Sequence, residues 1–155
     1  MMIHQIERTF AIERRAPIRH CGIVYGALVN DCLSLSPVGR AYIARQFSLS
    51  DDEIDRLRVR ETFRDDLIEL ICLHELDERC GLHGVPGFYQ TPTLWSPGDE
   101  TVGRQLWRWR LLAPRGAFLI PLWRDGAIRA LRVYHAGRSW WLSSTVVGGP
   151  PAYAR

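Results

Sequence analysis

Between Gly103 and Arg155 the chain carries nine arginines against a single acid, Asp125, with tryptophans set among them. The candidate cations are Arg108, Arg110, Arg115, Arg124, Arg129, Arg132 and Arg138, and Trp95, Trp107, Trp109, Trp123, Trp140 and Trp141 are interleaved with them. A guanidinium is planar, permanently charged and forks onto phosphate or carboxylate oxygens. Arginines on a sheet with rings between them suit a single-stranded nucleic acid, because phosphates take the charge and bases stack at roughly 1–3 kcal/mol each. The plainer alternative makes the tryptophans core and the arginines a solvated face. That alternative is preferred for most of the rings, and Trp140 is kept for stacking. Ser143 and Ser144 lack the Gly-x-Ser-x-Gly elbow of a nucleophile, so they read as hydroxyls that cap a turn or hold a phosphate.

Other chemistry is weaker. Cys72, His74, Cys80 and His83 offer four potential zinc ligands within twelve positions, but residues two apart on a helix point about 200° from one another, so Cys72 and His74 do not share a metal on an intact helix. Asp51, Asp52, Glu53, Asp55, Asp65 and Asp66 stand at helix starts, where acids complement the dipole. No Gly-x-x-x-x-Gly-Lys phosphate loop is present. The expectation is no catalytic residue and no metal ligand in this chain.

The elements that must position the arginines follow from punctuation and period. Apolar residues from Gly22 to Leu35 have helical spacing. Ser36-Pro37 starts a helix whose stripe is Val38, Tyr42, Ile43 and Phe47, and Ser50 to Glu53 is a capping box ahead of Ile54 and Leu57. Asp65 to Cys80 reads as a longer helix with Leu67, Ile68, Ile71, Cys72 and Leu76 inward, ended by Gly81. Gly81 to Asp99, rich in Gly and Pro, reads as an ordered loop. Gln105 to Leu112 alternates Arg108 and Arg110 against Trp107, Trp109 and Leu111, as a strand that starts the sheet. Asp125-Gly126 and Ala136-Gly137 then mark two tight turns of a meander over Ala117–Trp123, Ala127–His135 and Ser139–Leu142, with arginines on one face and apolar side chains on the other.

The order of these features resembles the region that precedes the TOPRIM domain in bacterial-type DNA primases and their plasmid- and phage-borne relatives. The resemblance is carried by Gly116 with Ile120-Pro121, Gly126, and Trp141 to Ser144. Upstream, Leu33 to Ser36, Tyr42 to Arg45 and Leu49 to Leu57 resemble that region's helical lead-in, and Gly84 to Phe88 its linker into the sheet. The family usually has Arg where Tyr134 stands, Lys-Tyr where Arg138-Ser139 stands, and Gly near Phe47. Its zinc ribbon has no counterpart before His20-Cys21. The chain ends at Arg155, about where the TOPRIM strand with the catalytic Glu begins in that family. The resemblance implies one wall of a template groove and a partnership with a TOPRIM domain in the same or a separate chain. It also implies Mg²⁺ or Mn²⁺ only with that partner.

Composition agrees with an ordinary folded domain: 155 residues, 46% hydrophobic and 24% charged. All 20 basic residues are Arg, the net charge is +3, and Asp51 to Glu78 holds most of the acids. The four cysteines lack the paired spacing of a zinc ribbon and read as reduced thiols. The N-terminus lacks a signal peptide's basic start and apolar core, and no run is long enough to span a membrane, so a cytoplasmic location is expected. The expected fold is α+β, a helical N-terminal half packed on a small antiparallel sheet of about four strands. Residues 1–21 form an arm and 22–144 the domain: helices to 81, loop 82–103, sheet 104–144. Residues 145–155 form a linker. The expected function is a nucleic-acid-binding accessory subdomain of a primase-like replication protein. Its partners are single-stranded DNA or an RNA–DNA hybrid and a TOPRIM domain, with a replicative helicase as a further candidate. The alternative is a protein-interaction module that binds a helicase or another replication protein and no nucleic acid.

Overall fold

The structure, a computed structural model, describes residues 15–93 and 106–142. Its fold is α+β. Helix α1, Ile18–Ala27, runs on through a π-helical turn at Leu28–Cys32 and buries Cys21, Val24, Tyr25, Leu28 and Val29. It starts inside the expected N-terminal arm because Pro17 supplies the entry to the first turn. Helix α2, Pro37–Phe47, opens on Ser36, whose hydroxyl accepts the Gly39 N–H at 3.0 Å with Pro37 at the first helical position. Helix α3, Asp51–Leu57, has the capping box that the sequence predicts, with Ser50 and Glu53 each bonding the other's backbone. Helix α4, Asp66–Cys80, is capped by Asp65 and stopped by Gly81 at φ +82°.

The strands depart from the expected order. Strand β1, Arg60–Glu61, comes from the helical half and pairs with β4, Phe118–Arg124. β4 pairs with β5, Ala127–His135, and β5 with β6, Arg138–Trp141, all antiparallel, so the main sheet has the order β1-β4-β5-β6. Both hairpin turns are of the mirror-image type that fits strand twist, with φ +52° and +76° at Asp125-Gly126 and +51° and +77° at Ala136-Gly137. The stretch read as one long loop contains strand β2, Phe88–Thr93. It pairs with β3, Leu106–Leu111, as a separate two-stranded sheet, so β3 does not start the main one.

The main sheet is covered on both faces. Val133 joins the larger core with Val24, Tyr25, Leu73, Leu119 and Trp109, while its neighbour Tyr134 is buried on the opposite face, edge-on to Phe47 at 5.0 Å. A second, smaller core of Ile43, Ile54 and Val59 meets Phe118 and Ile120 on that face. The expected division into a dry face and a cationic face therefore does not hold, because α2 and α3 fold back over the face assigned to the arginines. Of the stripe expected on α2 only Ile43 is buried. Val38 is 82% exposed, while Tyr42 and Phe47 reach the sheet by ring contacts. On α4 the inward residues are Glu69, Leu73 and Leu76, and Leu67, Ile68 and Ile71 face solvent. No helix among the described residues is long and apolar enough to cross a membrane.

Candidate nucleic-acid interface

The seven candidate arginines separate into two groups. Arg108, Arg110 and Arg115 are drawn to two carboxylates of α4. Asp66 Oδ1 meets Arg110 Nη2 at 3.4 Å and is hydrogen-bonded by Arg115. Glu69 Oε1 lies 2.8 Å from Arg110 Nε and 3.8 Å from Arg108 Nη2, while its Oε2 accepts the Leu111 N–H at 3.1 Å. The contact at Arg110 Nε is an ion pair without hydrogen-bond alignment. Arg108 also donates to the Asp66 carbonyl at 3.1 Å. The acid-poor sequence around these arginines obtains its counter-charges from Asp66 and Glu69 in the helical half, and the pairs fasten the β2–β3 ribbon and the Arg115 loop to α4. A phosphate would have to break those pairs, so these three are poor phosphate sites.

The other four arginines lie on the meander. Arg124 is exposed at the end of β4 and Arg138 is exposed at the start of β6. Arg129 stands at a β-bulge, where Leu122 pairs with Ala130 and Trp123 with Ile128. Its Nη2 is 3.8 Å from the highly exposed Asp125 carboxylate. Arg132 donates from Nε and Nη2 to Ser139 Oγ at 3.1 and 2.8 Å, and its guanidinium carbon sits 5.4 Å from the Trp141 ring centroid. Among the described residues no carboxylate pairs with Arg124, Arg132 or Arg138. The candidate stacking residue Trp140 packs partly against the larger core, and Trp141, one position on, is the ring that faces Arg132. Ser143 and Ser144 lie outside the described residues.

Beside this platform is a cleft of about 410 Å³ between the start of α2 and the main sheet, which sequence reasoning missed. Tyr42 and Phe118 stack in its wall with planes 9° apart and centroids at 5.7 Å. Tyr134 lines it too, and a hydrogen bond to Tyr42, with burial next, holds the Tyr134 phenol above its ordinary range. Glu61 stands in the wall with Oε1 fixed by the Ser36 N–H at 2.8 Å and the Ser36 hydroxyl at 2.5 Å. A Cβ at Gly39 would overlap that oxygen, so the glycine is what lets the carboxylate approach the helix end. The only sequence signal was the Ser36-Pro37 helix start, because Glu61 is 25 positions away and comes from a two-residue strand.

Among the described residues no three of His, Cys, Asp and Glu gather where a metal could sit. His74 instead faces Glu78 across one helical turn at 3.1 Å. Burial, with Cys72 and Asp31 nearby, pushes the Cys32 thiol up to about 11, and burial also raises Cys72. Cys32 should alkylate slowly: its thiolate fraction at pH 8 is on the order of 100-fold below that of a thiol titrating at the ordinary position. Iodoacetamide labelling read by peptide mass spectrometry checks this, and a rate equal to that of the unfolded chain would contradict it. Comparison with protein-family models, with curated proteins and with solved structures returned no match.

Proposed function

We propose that the chain binds single-stranded nucleic acid on the β5–β6 hairpin. In this reading it acts as the template-strand wall of a primase-like replication protein whose TOPRIM partner brings the acidic site for Mg²⁺ or Mn²⁺. The location in this reading is cytoplasmic. The observation that carries it is the Arg132 guanidinium bonded to Ser139 and 5.4 Å from the Trp141 ring centroid, with no carboxylate among the described residues paired with it or with the exposed Arg138 at the start of β6. A phosphate can take the outward guanidinium edges while a base stacks on the exposed part of the ring. Arg124 and Arg129 extend the positive charge toward the β4–β5 turn.

The test is fluorescence anisotropy of a labelled single strand at several salt concentrations. With three or four phosphates neutralised, log affinity should fall against log salt with a slope of roughly −2 to −3. Arg132→Ala or Arg138→Ala should make the slope shallower by about 0.7, and Trp141→Ala should weaken binding by roughly 1–3 kcal/mol at unchanged slope. Arg115→Ala, which removes a cation already paired with Asp66, should leave the slope unchanged. A folded sample that binds no strand at low salt overturns the reading. In that case the interaction-module alternative is favoured, and it has its own observation in the solvent-facing Leu67, Ile68 and Ile71 of α4.

A further inference from the structure

The cleft between α2 and the sheet has the chemistry of a pocket for one unstacked base. We infer that it takes a single base of the bound strand and prefers bases that present an amino group. The inference rests on the nucleic-acid reading of the β5–β6 hairpin, because the cleft and the hairpin platform are contiguous. Tyr134, which lines the cleft, is the register partner of Ser139, which holds Arg132, and His135 at the rim is the partner of Arg138. Directly opposed residues in such a pair have Cβ atoms about 5 Å apart, and Arg132, Tyr134 and Ser139 share one face of the hairpin, so a base in the cleft leaves a flanking phosphate within reach of Arg132.

Three features select the base rather than the backbone. The volume of about 410 Å³ is enough for one planar ring and its sugar, and the parallel Tyr42 and Phe118 rings offer a stacking surface, with Tyr42 39% exposed. The carboxylate of Glu61 repels phosphate, so the polyanionic backbone stays outside. One oxygen of that carboxylate is committed to Ser36, which locks its rotamer. The other accepts no hydrogen bond among the described residues and is not sealed from solvent. An ionised carboxylate is acceptor-only. The amino groups of cytosine, adenine and guanine donate to it, whereas the single donor of thymine and uracil, N3–H, lies between two carbonyl oxygens that a carboxylate repels. Capping α2 explains the committed oxygen and the close approach at Gly39, and leaves the second oxygen for this use.

The experiment compares a short oligothymidylate with the same strand carrying one central cytidine, adenosine or guanosine, by anisotropy at fixed low salt. The amino-bearing strands should bind roughly tenfold tighter. In Glu61→Gln the amide carbonyl can keep both Ser36 contacts and turn its NH₂ to the cleft. The preference should then vanish or invert toward thymidine, with the salt slope unchanged. Tyr42→Leu, which keeps apolar bulk against Phe118, should weaken all strands several-fold at unchanged slope. Equal affinity for the four central bases in the unaltered protein, or a preference that Glu61→Gln leaves intact in a folded variant, overturns the base pocket and leaves the hairpin interface standing. No binding of any strand overturns both.

Discussion

Replacing Glu69 with Ala should cost about 3–5 kcal/mol of folding stability, the scale expected when one partner of a buried charge pair is removed. Glu69 is only 5% exposed, yet it lies in the middle of a cationic cluster. Its side chain faces Arg110 at 2.8 Å and Arg108 at 3.8 Å, and it also accepts the Leu111 backbone N–H. The truncation strands the Leu111 N–H and leaves Arg110 with Asp66 Oδ1 at 3.4 Å and Arg108 with the Asp66 carbonyl at 3.1 Å as their remaining partners. The Arg108 and Arg110 side chains are 16% and 30% exposed, too enclosed for water to replace the lost carboxylate fully, and the Leu111 N–H is left without an acceptor in the core. Glu69→Gln keeps an acceptor for Leu111 and loses the charge, so it should cost less, about 1–2 kcal/mol. Chemical denaturation read by tryptophan fluorescence separates the cases. A cost below about 1 kcal/mol for Glu69→Ala would mean that the arginines swing out to solvent, and then they would count again as phosphate sites.

That cluster also shows where a reading of the sequence stops. The helix starts at Ser36-Pro37, Ser50 and Asp65, the stop at Gly81 and both tight turns were legible, because each rests on neighbours within four positions. The α+β class followed from them. The inward stripe of α4 was legible in part: Leu76 is buried and Cys72 packs against the larger core as expected, but the stripe also runs through Glu69 and Leu73, and because one of these is an acid an apolar count takes in Leu67, Ile68 and Ile71, which face solvent. Strand β1 is too short to show a period, and the Gly- and Pro-rich composition of 81–99 read as a loop hides β2, which forms with Pro92 inside it as one member of a two-stranded ribbon. For the candidate site, sequence located the arginines and could not locate their partners. Arg132 finds Ser139 seven positions on and Trp141 nine, within one hairpin, so that platform was within reach of pattern reasoning. Glu61, Asp66 and Glu69 arrive from the helical half, and their pairings are set by packing alone.

Gly87→Ala should be the most damaging single-methyl change in the described chain, at about 2–4 kcal/mol, because two penalties coincide there. The backbone at Gly87 has φ +100°, where L side chains are strained, and an added Cβ would lie 2.4 Å from both Cγ and Cδ2 of Leu142. Neither side can yield cheaply. The Gly87 carbonyl accepts the Leu112 N–H at 2.7 Å, fixing the β2 approach, and Leu142 is 1% exposed with its N–H bonded to the Leu131 carbonyl at 2.8 Å. Leu142 follows Trp141 directly, so displacing it would also shift the ring beneath Arg132 and should reduce strand binding in proportion to the lost order at the end of β6. A double-mutant cycle isolates the steric part. Leu142→Ala alone should cost about 2–5 kcal/mol through the cavity it leaves. In the double variant the new methyl occupies part of that cavity and only the φ strain of about 1–2 kcal/mol remains as an extra. The two changes should therefore sum to clearly less than their separate costs. Strict additivity would show that the Gly87 penalty is conformational alone and that Leu142 does not oppose it.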